Sequence, residues 1–134
     1  MEDNEEYYEC GAGWYPIIKK VVNYVNTHNS ACKEDEKIEI TQIKEKFGAL
    51  EMYAHNKNDE YIRLVSEARD ESLKTCEFCG SKEDIGQMCD GWITTLCHKC
   101  AEKLAKQQNR NRLWYSYNIK KKVELKGKED NEKD

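Results

Sequence analysis

Four cysteines in two close pairs carry the clearest chemistry in this sequence. Cys76-Glu77-Phe78-Cys79-Gly80 and, seventeen residues on, Cys97-His98-Lys99-Cys100 form C-x2-C-x17-C-x2-C, a spacing that lets four thiolates surround one Zn2+ tetrahedrally. Two residues between ligands let the chain turn so that both sulfurs face one point, and Gly80 supplies the backbone freedom such a knuckle needs. Four thiolates fill the coordination sphere and leave no position for a reacting water, so the expected zinc is structural. Cys89 and His98 lie outside the paired spacing and are not expected as ligands, and Cys10 and Cys32 read as core or surface thiols. Buried cysteines or a redox pair are the alternative to the metal.

Other chemistry is sparse. No GxSxG, phosphate-binding loop, HExxH or deaminase motif occurs, and His28 and His55 lie far from the cysteines in sequence. No catalytic residue is expected, and a nuclease-like enzyme, which would need a histidine base and further metal ligands near the zinc finger, is the third alternative for function. Gly11 and Gly13 ahead of a helix could cradle an anion. From Lys99 to Lys128 ten Lys or Arg face two Glu, within a chain of formal net charge -4. Lys99, Lys103, Lys106, Arg110, Arg112, Lys120, Lys121 and Lys122 are candidate phosphate contacts, with Trp114 and Tyr115 as stacking partners for bases. The alternative is a solvated basic face balanced by the acidic remainder.

The elements that must position these residues follow from periodicity. Pro16 suits a first helical turn, and Trp14, Ile17, Ile18, Val21, Val22 and Val25 recur at helical spacing to about His28. Ile38 to Ile43 and Ala49 to Ala54 read as a β-hairpin turning near Gly48. Asn58 is an N-cap candidate for a helix from Tyr61 to about Lys74. A knuckle, a hairpin and a helix from Ala101 to about Gln108 then make a treble-clef module. The segment from Leu113 to Ile119 reads equally as strand or helix. The expected fold is α+β: a helix, hairpin, helix body with an acidic tail over 1–75, a zinc module over 76–126 whose basic helix and C-terminal segment pack back on the body, and a disordered tail over 127–134.

The zinc segment resembles GATA-type fingers in its ligand spacing and in the Leu-Cys-x-x-Cys that leads into a helix and a basic stretch. That resemblance spans about a quarter of the chain and suggests DNA binding. The segment lacks the basic pair those fingers carry between the knuckles. A longer resemblance, to small proteins of bacteriophages and bacterial genomes, runs through Glu9-Cys10-Gly11-Ala12-Gly13-Trp14-Tyr15-Pro16, Gln42-Ile43-Lys44-Glu45-Lys46-Phe47-Gly48-Ala49-Leu50 and both cysteine pairs. Ala12 stands where that group usually has an acidic residue. The resemblance implies an origin and a fold and brings no activity with it.

An acidic N-terminus, apolar runs of only a few residues, and an odd cysteine count of seven argue against export and against a membrane span, and for a reducing cytoplasm, the host's if the gene is a phage's. The partner expected first is a protein, with nucleic acid second. The candidate interaction surface is the Gln42-to-Tyr53 hairpin with Trp92, Trp114, Tyr115 and Tyr117, since aromatics supply large contact area at low entropic cost. Trp14, Phe47 and Phe78 are expected in the core, and the Trp114 cluster is open between core and surface.

Overall fold

The computed structural model describes residues 4–128. Three helices and two sheets make a mixed α+β fold. Helix α1 (Tyr15–Ala31) has Pro16 in its first turn and buries Ile17, Ile18, Val21, Val22 and Val25 along one stripe. Strands β2 (Glu39–Lys46) and β3 (Ala49–His55) form the expected hairpin, and Ile40, Ile43, Leu50 and Met52 face α1 across one core. Helix α2 (Asp59–Ser72) begins where the Asn58 side chain accepts the Tyr61 amide at 2.8 Å, and it adds Tyr61 and Ala68 to that core.

A short strand β1 (Tyr8–Glu9) pairs in parallel with β2, placing Tyr8 beside Ile43. It was not expected from the sequence. Tyr8 is buried and meets the Tyr15 ring edge-on, whereas Tyr7 is exposed.

The second half is a four-stranded sheet in the order β5-β4-β6-β7, built from β4 (Ile85–Met88), β5 (Thr94–Cys97), β6 (Arg112–Ser116) and β7 (Lys121–Leu125). Helix α3 (His98–Gln108) covers one face, and Met88, Leu96, Ala101, Ala105, Trp114 and Leu125 form a second core. The segment after α3 is therefore a hairpin. Its buried parity is Arg112, Trp114 and Ser116, opposite to the Leu113, Tyr115, Tyr117 alternation that drew attention in the sequence.

Two corrections concern the ends of elements. Helix α3 starts at His98, three residues before the expected Ala101, because the Cys97 sulfur accepts the Cys100 amide and serves as the N-cap. Gly127, assigned to a disordered tail, is buried, and its amide donates to Asn111 at 2.9 Å. Residues 129–134 of that expected tail, like the first three of the acidic N-terminus, lie outside the described residues.

The halves meet where the Gly13 amide donates to the Glu77 carbonyl at 2.8 Å and where Lys82 Nζ reaches Glu71 at 3.1 Å. The Trp14 indole N–H donates to the Thr75 carbonyl, one residue before the first cysteine. The hairpin tip abuts the second sheet, where the Thr95 hydroxyl donates to the Gly48 carbonyl at 2.7 Å. Among the described residues no helix is long and apolar enough to cross a membrane.

Candidate metal centre

The first cysteine pair sits on a tight turn. The Gly80 amide donates to the Cys76 carbonyl at 2.9 Å, and Gly80 adopts φ +81°, a conformation glycine takes without a steric penalty. The Cys76 amide donates to the Ser81 carbonyl and the Glu77 amide to the Thr95 carbonyl, which fixes the turn against β5. The second pair is carried by the end of β5 and the first turn of α3, so strand pairing and helix start together aim Cys97 and Cys100 at the first pair.

The four sulfurs all lie within 4.8 Å of one another. Cys79 Sγ and Cys97 Sγ are 3.7 Å apart, far beyond a disulfide bond. Four sulfurs at about 2.3 Å from one ion stand about 3.8 Å apart at the vertices of a tetrahedron. The Cys79–Cys97 separation matches that edge and no separation exceeds 4.8 Å, so Cys76, Cys79, Cys97 and Cys100 could hold a metal ion.

Burial pushes the Cys97 and Cys100 thiols up, and Cys76 and Cys79 add to the rise, while at Cys97 the Cys100 amide and thiol oppose it. Cys79, at the exposed rim, is held below the ordinary thiol value, first by the Ser81 amide. Four thiolates this close repel one another, and a cation at their centre removes that repulsion and deprotonates them together.

The glycines of the first turn serve this centre directly. Gly13 donates its amide to the Glu77 carbonyl at 2.8 Å, and Gly11 donates to the Glu77 carboxylate at 2.9 Å. The anion cradled by that turn is thus the chain's own Glu77, which is 7% exposed and whose carboxyl is raised above its ordinary value first by burial. Sequence reading passed over Glu77 because a single acid between two ligands carries no pattern.

The remaining cysteines stand apart from the cluster. Burial, with Glu77 and Glu45 nearby, pushes the Cys10 thiol up to about 12. Cys32 and Cys89 are half-buried free thiols. His98 stacks on Trp114 at 4.9 Å between ring centroids and faces Asp84 and Glu102 at 4.0 and 3.8 Å.

The basic candidates divide. Lys99, Lys103 and Lys106 are exposed on one face of α3, Arg110 is exposed just beyond it, and Lys120, Lys121 and Lys122 are exposed at and after the β6–β7 turn. Arg112 is not available to a phosphate. It is 5% exposed and its guanidinium binds Asp90 with Nε and Nη2 each at 3.0 Å from Oδ1. Trp114 is 2% exposed, with its indole N–H on the Leu96 carbonyl, so it presents no face for stacking. Tyr115 lies half-buried on the opposite face of the sheet, edge-on to the exposed Tyr117.

Among the aromatics expected in the core, Trp14 is fully buried. Phe47 is 74% exposed and Phe78 is also exposed, because one occupies a hairpin turn and the other the outer side of the knuckle. Trp92 is likewise 74% exposed, on the loop between β4 and β5. The structure brings Phe47 and Trp92 to one groove.

No protein-family model, curated protein or solved structure matches the chain.

Proposed function

We propose that this is a non-catalytic, zinc-stabilised interaction protein. The metal reading is carried by four sulfurs within 4.8 Å of one another, with the Cys79–Cys97 separation of 3.7 Å close to a tetrahedral edge. Four thiolates favour zinc, in a treble-clef arrangement of knuckle, β4–β5 hairpin and α3, and they leave the ion no open position for chemistry. Its role is to hold the second core and, through Glu77, the Gly11–Gly13 turn. Seven free cysteines suit a reducing compartment such as the cytoplasm.

Binding is assigned to the hairpin tip. Among the described residues Phe47 and Trp92, forty-five residues apart in sequence, are the two most exposed large apolar side chains and line one groove, and Trp in such a place is a typical anchor of protein interfaces. The resemblance to small phage and bacterial proteins supports a host protein as the partner.

A photo-cross-linking amino acid at position 92, introduced in the native host cell, tests the reading. A discrete adduct that disappears when Phe47→Asn is added supports it. An adduct profile unchanged by that substitution, or none above a matched position such as 117, rejects it.

A second reading is nucleic-acid binding. It is favoured by the exposed Lys99, Lys103 and Lys106 on one face of α3, with the exposed Lys120 just before β7 and the exposed Lys121 and Lys122 at its start. It proceeds without Arg112 and Trp114. Micromolar binding to duplex or single-stranded nucleic acid that weakens steeply with salt, and with Lys120, Lys121 and Lys122 changed to Ala, would place it first.

A further inference from the structure

We propose that the groove between Phe47 and Trp92 receives one large apolar side chain from a partner protein, presented by a segment whose flanking residues are acidic. This rests on the reading of that surface as the interaction site, and adds the chemistry of its occupant.

The turn itself is unusual. Phe47 adopts φ +53° and Gly48 φ +85°, the left-handed pair of a tight hairpin turn for which Asn-Gly is the favoured sequence. A bulky side chain is seldom found with positive φ. Here it gains no burial in return, since Phe47 is 74% exposed. A locally unfavourable choice with no packing reward is the pattern expected of a residue kept for contact with something else.

Trp92 is exposed yet fixed. Its indole N–H donates to Glu45 Oε1 at 3.1 Å, while Glu45 Oε2 accepts the Gly48 amide at 2.7 Å. One carboxylate therefore holds both the turn that carries Phe47 and the ring of Trp92. Such fixing lowers the ordering cost of binding. The two rings, with Ile93, wall a groove of about 270 Å³. A recess between two aromatic walls fits an inserted side chain, whereas a bilayer would be met by apolar side chains projecting from a convex tip.

Charge selects the flanks. Glu45, whose two oxygens accept the Trp92 indole and the Gly48 amide, keeps its negative charge against the two positive charges of Lys44 and Lys46, so the groove lining is net positive. Neither lysine forms an ion pair among the described residues. Lys44 Nζ lies 5.8 Å from the Tyr53 ring centroid, and Lys46 is exposed. Two ammonium groups at the rim favour carboxylates beside the apolar anchor and disfavour lysines there.

The structure supplies its own reporter. Trp14 and Trp114 are buried with both indole N–H groups bonded to carbonyls, so solvent-sensitive tryptophan emission comes from Trp92. The metal-loaded full chain is titrated with a blocked hexapeptide of two leucines between pairs of glutamates. Its lysine-flanked and alanine-centred counterparts, and vesicles of phosphatidylcholine and phosphatidylserine, are run alongside. The expected result is a saturable blue shift with the glutamate–leucine peptide, and affinity at least about tenfold weaker for both counterparts, for Phe47→Asn and for Lys44→Glu with Lys46→Glu.

Equal affinity for the lysine-flanked peptide, or binding that survives the charge reversal, overturns the acidic flank and with it the proposal. So does a blue shift with vesicles alone, which would make the occupant a lipid surface, or one that grows with protein concentration alone, which would make it a second copy. If no probe responds while cross-linking at position 92 still yields a Phe47-dependent adduct, the occupant's chemistry is wrong and the interaction reading stands. If both fail, both are wrong.

Discussion

Gly13 is pressed against Cys76: a Cβ placed on Gly13 would lie 2.2 Å from the Cys76 carbonyl oxygen. Two residues sixty-three apart in sequence thus share a space that only a hydrogen atom can occupy. The same Cβ would come within 2.5 Å of the Gly80 amide nitrogen and 2.7 Å of the Glu77 carbonyl, all backbone atoms of the knuckle. The first turn of the body and the cysteine cluster are consequently built as one unit.

Gly13→Ala should therefore damage the metal centre from outside its ligand set. Backbone atoms on three sides cannot move aside independently, so a cost of about 3 kcal/mol is expected. Titration with a competing chelator should show metal released at lower chelator concentration than from the unaltered chain. Unchanged stability and metal retention would mean that the turn and knuckle separate freely.

Cys97→Ser removes a candidate ligand and the N-cap of α3 together, since the same sulfur accepts the Cys100 amide. A structural zinc can contribute on the order of 10 kcal/mol to a small domain, and the second core is small, so β4 to β7 and α3 should unfold. The Trp114 indole, bonded to Leu96 in that core, is the reporter in an amide and indole NMR spectrum. Loss of its dispersed resonance on substitution or on chelation is expected. A protein that kept it, and kept its Tm, would not depend on a metal for its fold.

Asp90 and Arg112 give a prediction in pH. Burial acts to raise the Asp90 carboxyl, but the Arg112 guanidinium and the Leu113 amide outweigh it and hold the group below the ordinary aspartate value. A carboxylate lowered by folding contributes stability that is complete above its unfolded pKa, about 4, and is lost as pH falls through the lower folded value. Asp90→Asn leaves the buried Arg112 without its partner and should cost about 2–3 kcal/mol near neutrality. Acid also protonates the thiolates, so the difference in stability between the two proteins isolates the pair. That difference should shrink as pH drops below about 4. A difference independent of pH would show that the ion pair is not the cause.

The cysteine cluster was legible because its information is local: two CxxC pairs need only a turn each, and their spacing is visible in the chain. The α1 stripe and the Asn58 cap were readable for the same reason. What failed depended on partners distant in sequence. Strand β7 runs Lys121-Lys122-Val123-Glu124-Leu125 with only Leu125 buried, and it exists through pairing with β6. The parity of β6 is set across the sheet, where Gly86 leaves room for the Trp114 ring, which a Cβ there would approach within 2.6 Å. That packing puts Trp114 and Arg112 inside, which removes both from the nucleic-acid alternative and decides for the core at Trp114, where the sequence left core and surface open. Phe47 was assigned to the core because it is apolar, although the neighbouring Gly48 already marked the site as a turn. Turn geometry outranked hydrophobicity there.

Phe47→Asn is the substitution whose two effects should run in opposite directions. Asparagine tolerates positive φ better than a bulky aromatic residue does and is the favoured first residue of this turn. An exposed ring contributes little apolar burial, so little is lost by removing it. The substitution should leave the Gly48 contacts to Thr95 and Glu45 in place and raise stability by about 0.5–1 kcal/mol, read as a higher denaturant midpoint with an unchanged slope. Destabilisation by a similar amount would instead show that the Phe47 ring packs against Trp92 strongly enough to support the fold. In that case its presence in the turn would need no partner to explain it.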